Sequence, residues 1–172
     1  MNPFVTFELV LRTENASLYT PRYGDETGTN GDPEYKKFRD KAKLLPDQAD
    51  RFAEIEAQIA KLAKRGTRSY RLRPENGAFA LPAKHRPLMV SVDCAKGLGL
   101  RLYCLLLPDD VIILCNGGLK TTNDVIHCPN VSQYFREANQ ILALLNEQLA
   151  GEQKPLTFTV IEEIIENETF YL

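Results

Sequence analysis

Apolar and polar residues alternate through FVTFELVL (Phe4–Leu11), placing Val5, Phe7, Leu9 and Leu11 on one face and predicting a strand. From Arg12 to Pro33 turn formers dominate, as in TPRYGDETGTNGDP, and the segment reads as a long loop. Helical spacing follows twice. A short helix is expected from about Pro33 to Leu44. A longer one is expected from Pro46-Asp47, a good start signal, to the stop at Gly66, with Phe52, Ile55, Ile59 and Leu62 in one stripe. After Gly66 the period becomes two. Ser69–Leu72, LRLYCLLL (Leu100–Leu107) and VIILC from Val111 read as strands, the last two joined by a tight turn at Pro108-Asp109-Asp110. With Asp109 and Asp110 at its centre, Cys104 falls opposite Cys115. A further helix is expected from near Asn130, with Gln133 at capping-box spacing, and carries Phe135, Ala138, Leu142, Leu145 and Leu149 before Gly151. The tail PLTFTVIEEIIENETFYL fits a strand or a short helix.

This order predicts one α+β domain over residues 1–172, its helices packed on one face of a mainly antiparallel sheet. A chain of 172 residues buries a sizeable core without disulfides or metal. The start, MNPFVTFELVLRTEN, lacks a basic leader, and no apolar run reaches membrane-spanning length, so a cytoplasmic location is the default expectation. Cys94, Cys104, Cys115 and Cys128 are too widely spaced for a zinc half-site and read as ordinary thiols. No metal or cofactor is expected.

The net charge of −2 hides an asymmetry. Residues 36–101 hold 16 basic and 7 acidic side chains, whereas residues 1–35 and 102–172 are both acidic. A basic middle between acidic ends suits an anion-binding face; charges dispersed over a solvated surface are the plain alternative.

The stretch VIILCNGGLKTT (Val111–Thr122) ends an apolar strand in glycines and Lys-Thr. It is not a phosphate-binding P-loop. That motif needs glycines where Leu114 and Leu119 stand, and a helix where TTNDVIHCPN follows. What remains is a strand presenting Lys120 at the end of the sheet. In SYRLR, Arg71 and Arg73 flank Leu72 and share a face; Arg101 lies opposite Leu100, Leu102 and Cys104, beside Tyr103. Arginine forks on neighbouring strands form a phosphate-sized cluster. Buried without partners, such cations would cost several kcal/mol each, so the face is expected to be open or paired with acids.

A Tyr-cation-aliphatic-cation strand, a strand with an internal arginine, a turn, an apolar strand and a lysine beyond it together resemble the RelE/HigB-like toxins of bacterial toxin–antitoxin pairs. The resemblance runs from the helical pair near residue 34 to the helix ending near Gly151. It implies a RelE-like α+β fold and an mRNA endonuclease that works in the ribosome and is neutralised by a cognate antitoxin. Residue by residue, it implies catalytic roles for Arg71, Arg73, Arg101, Lys120 and His127. The ribose 2′-OH would attack the adjacent phosphate while the cations stabilise the phosphoryl oxygens. His127 would take or give a proton; a hydrogen-bonded loop histidine is its ordinary reading. Lys84 and Arg86 would extend an RNA-binding surface. Tyr70 and Tyr103 would stack on bases, with core packing as their default. The chain departs from the pattern in three places. Thr121, Thr122 and Asn123 stand where a second arginine is usual, an insertion occupies residues 74–99, and an acidic extension covers 152–172. The EEIIENE run would fold over the cationic face. The alternative function is a non-catalytic RelE-like module that binds a protein or nucleic acid.

Overall fold

Beyond Arg12 the chain turns within four residues and returns as a strand. In the computed structural model, which describes residues 4–25, 27–67, 73–74, 88–92, 98–152 and 157–171, β1 (Phe4–Arg12) pairs antiparallel with β2 (Ser17–Gly24). The loop expected from Arg12 to Pro33 is therefore corrected: SLYTPRYG is a strand whose Leu18, Tyr19 and Thr20 are buried. Its turn-forming composition misleads because Pro21 sits where β2 has already left its inner neighbour.

The two expected helices follow as α1 (Glu34–Lys43) and α2 (Ala49–Arg65), with one 3-10 turn at Pro46–Gln48 between them. Gly66 ends α2 at φ +70, in the left-handed region. Then come β3 (Arg73–Pro74), β4 (Leu88–Val92), β5 (Gly99–Leu107) and β6 (Val111–Lys120). Asp109 and Asp110, both at positive φ, make the β5–β6 turn, and Asp110 accepts bonds from the backbone N and hydroxyl of Thr67 at 2.6 and 2.7 Å. The chain continues through α3 (Ser132–Gly151), α4 (Phe158–Asn167) and β7 (Phe170–Tyr171). α3 starts two residues after the expected Asn130, its first N–H groups bonded to the Cys128 carbonyl. The tail thus supplies both a helix and a short strand. The expected strand at Ser69–Leu72 lies outside the described residues.

Among the described residues one mixed sheet runs β3-β4-β5-β6-β2-β1-β7. Its one parallel join sets Ser17–Tyr19 of β2 against Val111–Ile113 of β6; the remaining neighbours are antiparallel. The helices do not share a face, which corrects the one-sided packing read from the sequence. α1 and α2 cover Val90, Leu100, Leu102, Cys104, Ile112 and Leu114, while α3 and α4 cover Met89, Tyr103, Leu105, Val111 and Ile113. The cause is legible in β4–β6, which are apolar on consecutive residues and so need cover on both sides.

The acidic tail goes elsewhere than expected. Glu162 and Glu166 of α4 both accept from the Arg12 guanidinium at 2.8 Å and from the Tyr19 hydroxyl at 2.7 Å. Ile161, Ile164 and Ile165 bury the other side of the helix. α4 closes the core beside β1. No helix among the described residues is long and apolar enough to cross a membrane.

Candidate functional site

The parallel ladder between β2 and β6 stops at Tyr19 and Ile113, and both strands carry a reason. On β2, Pro21 has no N–H to offer. On β6, two residues, Cys115 and Asn116, oppose the single Tyr103 of β5 in a bulge, since Cys104 pairs with Leu114 but Leu102 pairs with Gly117. The hairpin register sets Cys104 opposite Leu114, so Cys115 follows Val111 and Ile113 onto the α3 face while Cys104 stays on the α1 face, and the expected Cys104–Cys115 pairing does not occur. Both thiols are free and buried, and burial pushes both well up from the ordinary cysteine value.

Beyond that point the strands separate. β2 leads into α1 on one face; β6 leads through residues 121–131 into α3 on the other. Adjacent parallel strands whose continuations leave to opposite faces create a crevice at their carboxyl ends, the place where open α/β sheets bind ligands.

Polar side chains fill the inner end of this crevice and satisfy the backbone that the missing ladder leaves open. Asn116, 4% exposed, accepts from Lys41 Nζ at 2.8 Å and from the Gly117 N–H at 2.7 Å, and donates to Glu34 at 2.6 Å. Lys41 Nζ also donates to the Gly117 carbonyl at 2.8 Å, doing for β6 what a strand would have done. Glu34 takes Lys37 on its other oxygen at 2.6 Å. The Thr20 hydroxyl accepts from the Tyr35 N–H at 2.9 Å, so β2 supplies the polar cap that Pro33 cannot give α1. Lys41 Nζ also lies 3.8 Å from the centre of the Tyr134 ring, a cation–π contact that ties α1 to α3. Burial, with the charge of Glu34 adding, pushes the Glu137 carboxyl up against a bond from Gln133 at 2.8 Å.

Outside this network the crevice widens into a cleft of about 550 Å³. Its floor is Phe38, Leu45, Leu100 and Leu119; Lys41, Asn130, Gln133 and Tyr134 form its polar wall. Leu44 stands at its edge, 80% exposed. The cleft's size and mixed lining suit a small ligand or one projecting group of a larger partner.

The sequence-predicted residues lie differently. Register places Arg101 beside Gly118 and Lys120 beside Gly99, so both cations point to the α3 side of the sheet, Lys120 because the bulge has shifted the register of β6 by one residue. They are 1% and 4% exposed, buried within the structure. Tyr103 is wholly buried edge-on to Phe135, with ring centres 6.0 Å apart, which leaves no face for a base. His127 is 81% exposed and pairs through Nδ1 with Asp124 at 2.5 Å. Arg73 is described only as backbone paired with Ser91; Tyr70, Arg71, Lys84, Arg86 and Cys94 lie outside the described residues. Sequence reading missed Glu34, Lys41, Asn116, Gln133, Tyr134 and Glu137. Its one pointer was the Asn-Gly-Gly break at the end of the apolar strand, which marks the bulge of β6.

Cys128 occupies the loop between β6 and α3. Burial alone would raise its thiol, but the N–H groups of Thr121, Asn130 and Thr122 and the Thr121 hydroxyl outweigh that and bring it down to about 7. The Thr121 N–H lies 3.4 Å from its Sγ. A folded pKa below the unfolded one adds stability in full above the unfolded value and loses it as pH falls through the folded value. Urea midpoints should therefore show wild type gaining on Cys128→Ser between about pH 7 and pH 9, with a constant difference below that window. A difference unchanged across it would deny the thiolate any role in holding the loop.

Among the described residues no group of three His, Cys, Asp or Glu side chains could hold a metal ion. No family model, curated protein or solved structure matches the chain.

Proposed function

We propose that this chain is a binding module of RelE-like architecture, and that its working surface is the cleft at the separated ends of β2 and β6. The observation that carries the reading is the pairing of an open cleft with buried cations. Arg101 and Lys120 are 1% and 4% exposed, whereas Lys41, Asn130, Gln133 and Tyr134 face the cleft. A phosphoryl-transfer centre stabilises charge by direct donor contact, which needs its cations at a surface that substrate reaches. The RelE-like part of the reading is supported by chain order: a helical pair, four strands and a closing helix follow one another within the segment that carries the resemblance. The partner is a nucleic acid or protein that projects a group into the cleft.

A second reading, an mRNA-cleaving toxin held by an antitoxin, draws on the shared face of Arg101 and Lys120. Induced expression in a bacterial host separates the two. Unchanged growth, with soluble folded protein, is the expected result. Growth arrest relieved by Arg101→Lys, with circular dichroism unchanged, would replace the binding module with the toxin.

A further inference from the structure

We propose that the cleft between α1 and α3 takes a nucleotide: an aromatic base held against Tyr134, its edge met by the Asn130 and Gln133 amides and its phosphate turned toward α1. This rests on the binding-module reading above and names the ligand of the same site.

Three observations carry it. The first is the wall. Tyr134 is half-buried, with Lys41 Nζ over one face of its ring at 3.8 Å from the centre, and it borders a cleft whose apolar floor includes Phe38, Leu100 and Leu119. A flat, sequence-tolerant stacking partner of this kind holds bases of any identity. The second is the pair of amides. Asn130 and Gln133 both reach the cleft and are exposed, and Gln133 spends one N–H on Glu137 while keeping its carbonyl oxygen as an acceptor. Amide side chains match the mixed donor and acceptor edge of a base, which an acyl chain or a leucine side chain would leave unsatisfied.

The third is charge. α1, EYKKFRDKAK, carries five cations against two acids. Of those acids Glu34 is buried in the Asn116 network, and Asp40 lies between Lys36 and Lys43 at 3.7 and 3.8 Å. Asp32 and Glu56, outside the helix, pair with Lys36 and Arg39 at 2.8 and 3.4 Å, and Lys41 is the α1 cation that lines the recess itself. A duplex keeps its bases stacked and presents mainly backbone, so only a free nucleotide or an unpaired residue of a strand fits.

The test titrates the isotope-labelled full chain with adenosine 5′-monophosphate, adenosine, inorganic phosphate and a short single-stranded oligoribonucleotide, following amide resonances. Saturable shifts at Gly118, Gln133 and Tyr134 are expected with the monophosphate or the oligonucleotide, and weaker ones with adenosine or phosphate alone. Tighter binding of the oligonucleotide assigns the source as a strand; tighter binding of the monophosphate assigns a free nucleotide. Tyr134→Ala should weaken either by about ten-fold. Leu44→Glu, a change at an exposed edge that leaves the core untouched, should weaken binding, and Leu44→Lys should not. Silence at these amides with every probe, or shifts that survive both Tyr134→Ala and Leu44→Glu, overturns the proposal. If an amphipathic peptide moves the same amides while no nucleotide does, the cleft remains the working surface and the nucleotide is excluded.

Discussion

Gly117→Ala is expected to be the most damaging small substitution in the chain, at about 3 kcal/mol or more of lost stability. A Cβ built on Gly117 would lie 1.9 Å from the Arg101 carbonyl oxygen, 2.8 Å from its carbon and 3.0 Å from the Leu102 Cα. These are backbone atoms of β5, the central neighbour of β6, and they cannot swing aside as a side chain would. Relief requires moving β5 against helices on both faces, in an interior packed as densely as a crystal. The loss would consume a large share of the roughly 5–15 kcal/mol available to a domain. Gly151→Ala is the matching control, because a Cβ there meets nothing within 4 Å. Paired urea titrations measure the contrast. A cost for Gly117→Ala below about 1 kcal/mol would mean that the bulge is loose and that the crevice is not held open by it.

Asn116→Leu is the second large effect, expected at about 3 kcal/mol or more. The variant keeps the heavy-atom branching and removes three bonds at once. Glu34, 4% exposed, loses its donor on one oxygen, Lys41 loses one of its two acceptors, and the Gly117 N–H loses its partner. Leaving buried groups unmatched costs more than the bonds were worth when made. Asn116→Asp sharpens the test. It sets a carboxylate 2.6 Å from the Glu34 oxygen in place of a donor. Two like charges at that distance raise the folded pKa of the pair above its unfolded value. The added cost is then greatest at neutral pH and shrinks as pH falls and one proton is shared. An Asn116→Asp variant whose deficit does not shrink on acidification would show that the network is not what closes the crevice. Because Lys41 also rests on Tyr134, both Asn116 variants should broaden the Tyr134 resonances, linking the inner network to the outer cleft.

Much of the frame was legible before any coordinates. α2 runs Ala49–Arg65 with Ile55, Ile59 and Leu62 buried, inside the limits set by Pro46-Asp47 and Gly66. Asp109 and Asp110 turn β5 into β6, whereas Arg101 and Lys120 share a face only because the bulge at Cys115–Asn116 shifts the register by one residue. The misses have causes of the same kind. β2 was hidden because Pro21 and its neighbours score as turn residues, yet its buried half, Ser17–Thr20, precedes the proline. The one-sided packing of the helices failed because apolar runs such as VIILC were read by their period and not by their need for cover on two faces.

By itself the sequence determined the local elements, the interruption of β6 at Asn-Gly-Gly, and the cationic character of the middle of the chain. These depend on residues close together along the backbone: periodicity, caps and the missing side chains of glycine. The tertiary structure alone decided that Ser17–Tyr19 lies parallel to Val111–Ile113, that α1 and α3 leave to opposite faces, and that Glu34, Asn116 and Lys41 meet where the strands part. It also decided that Arg101 and Lys120 are covered while Tyr134 and Lys41 line an opening. Alternation tells which side of a strand a residue points to, but exposure depends on what the rest of the chain packs against that side.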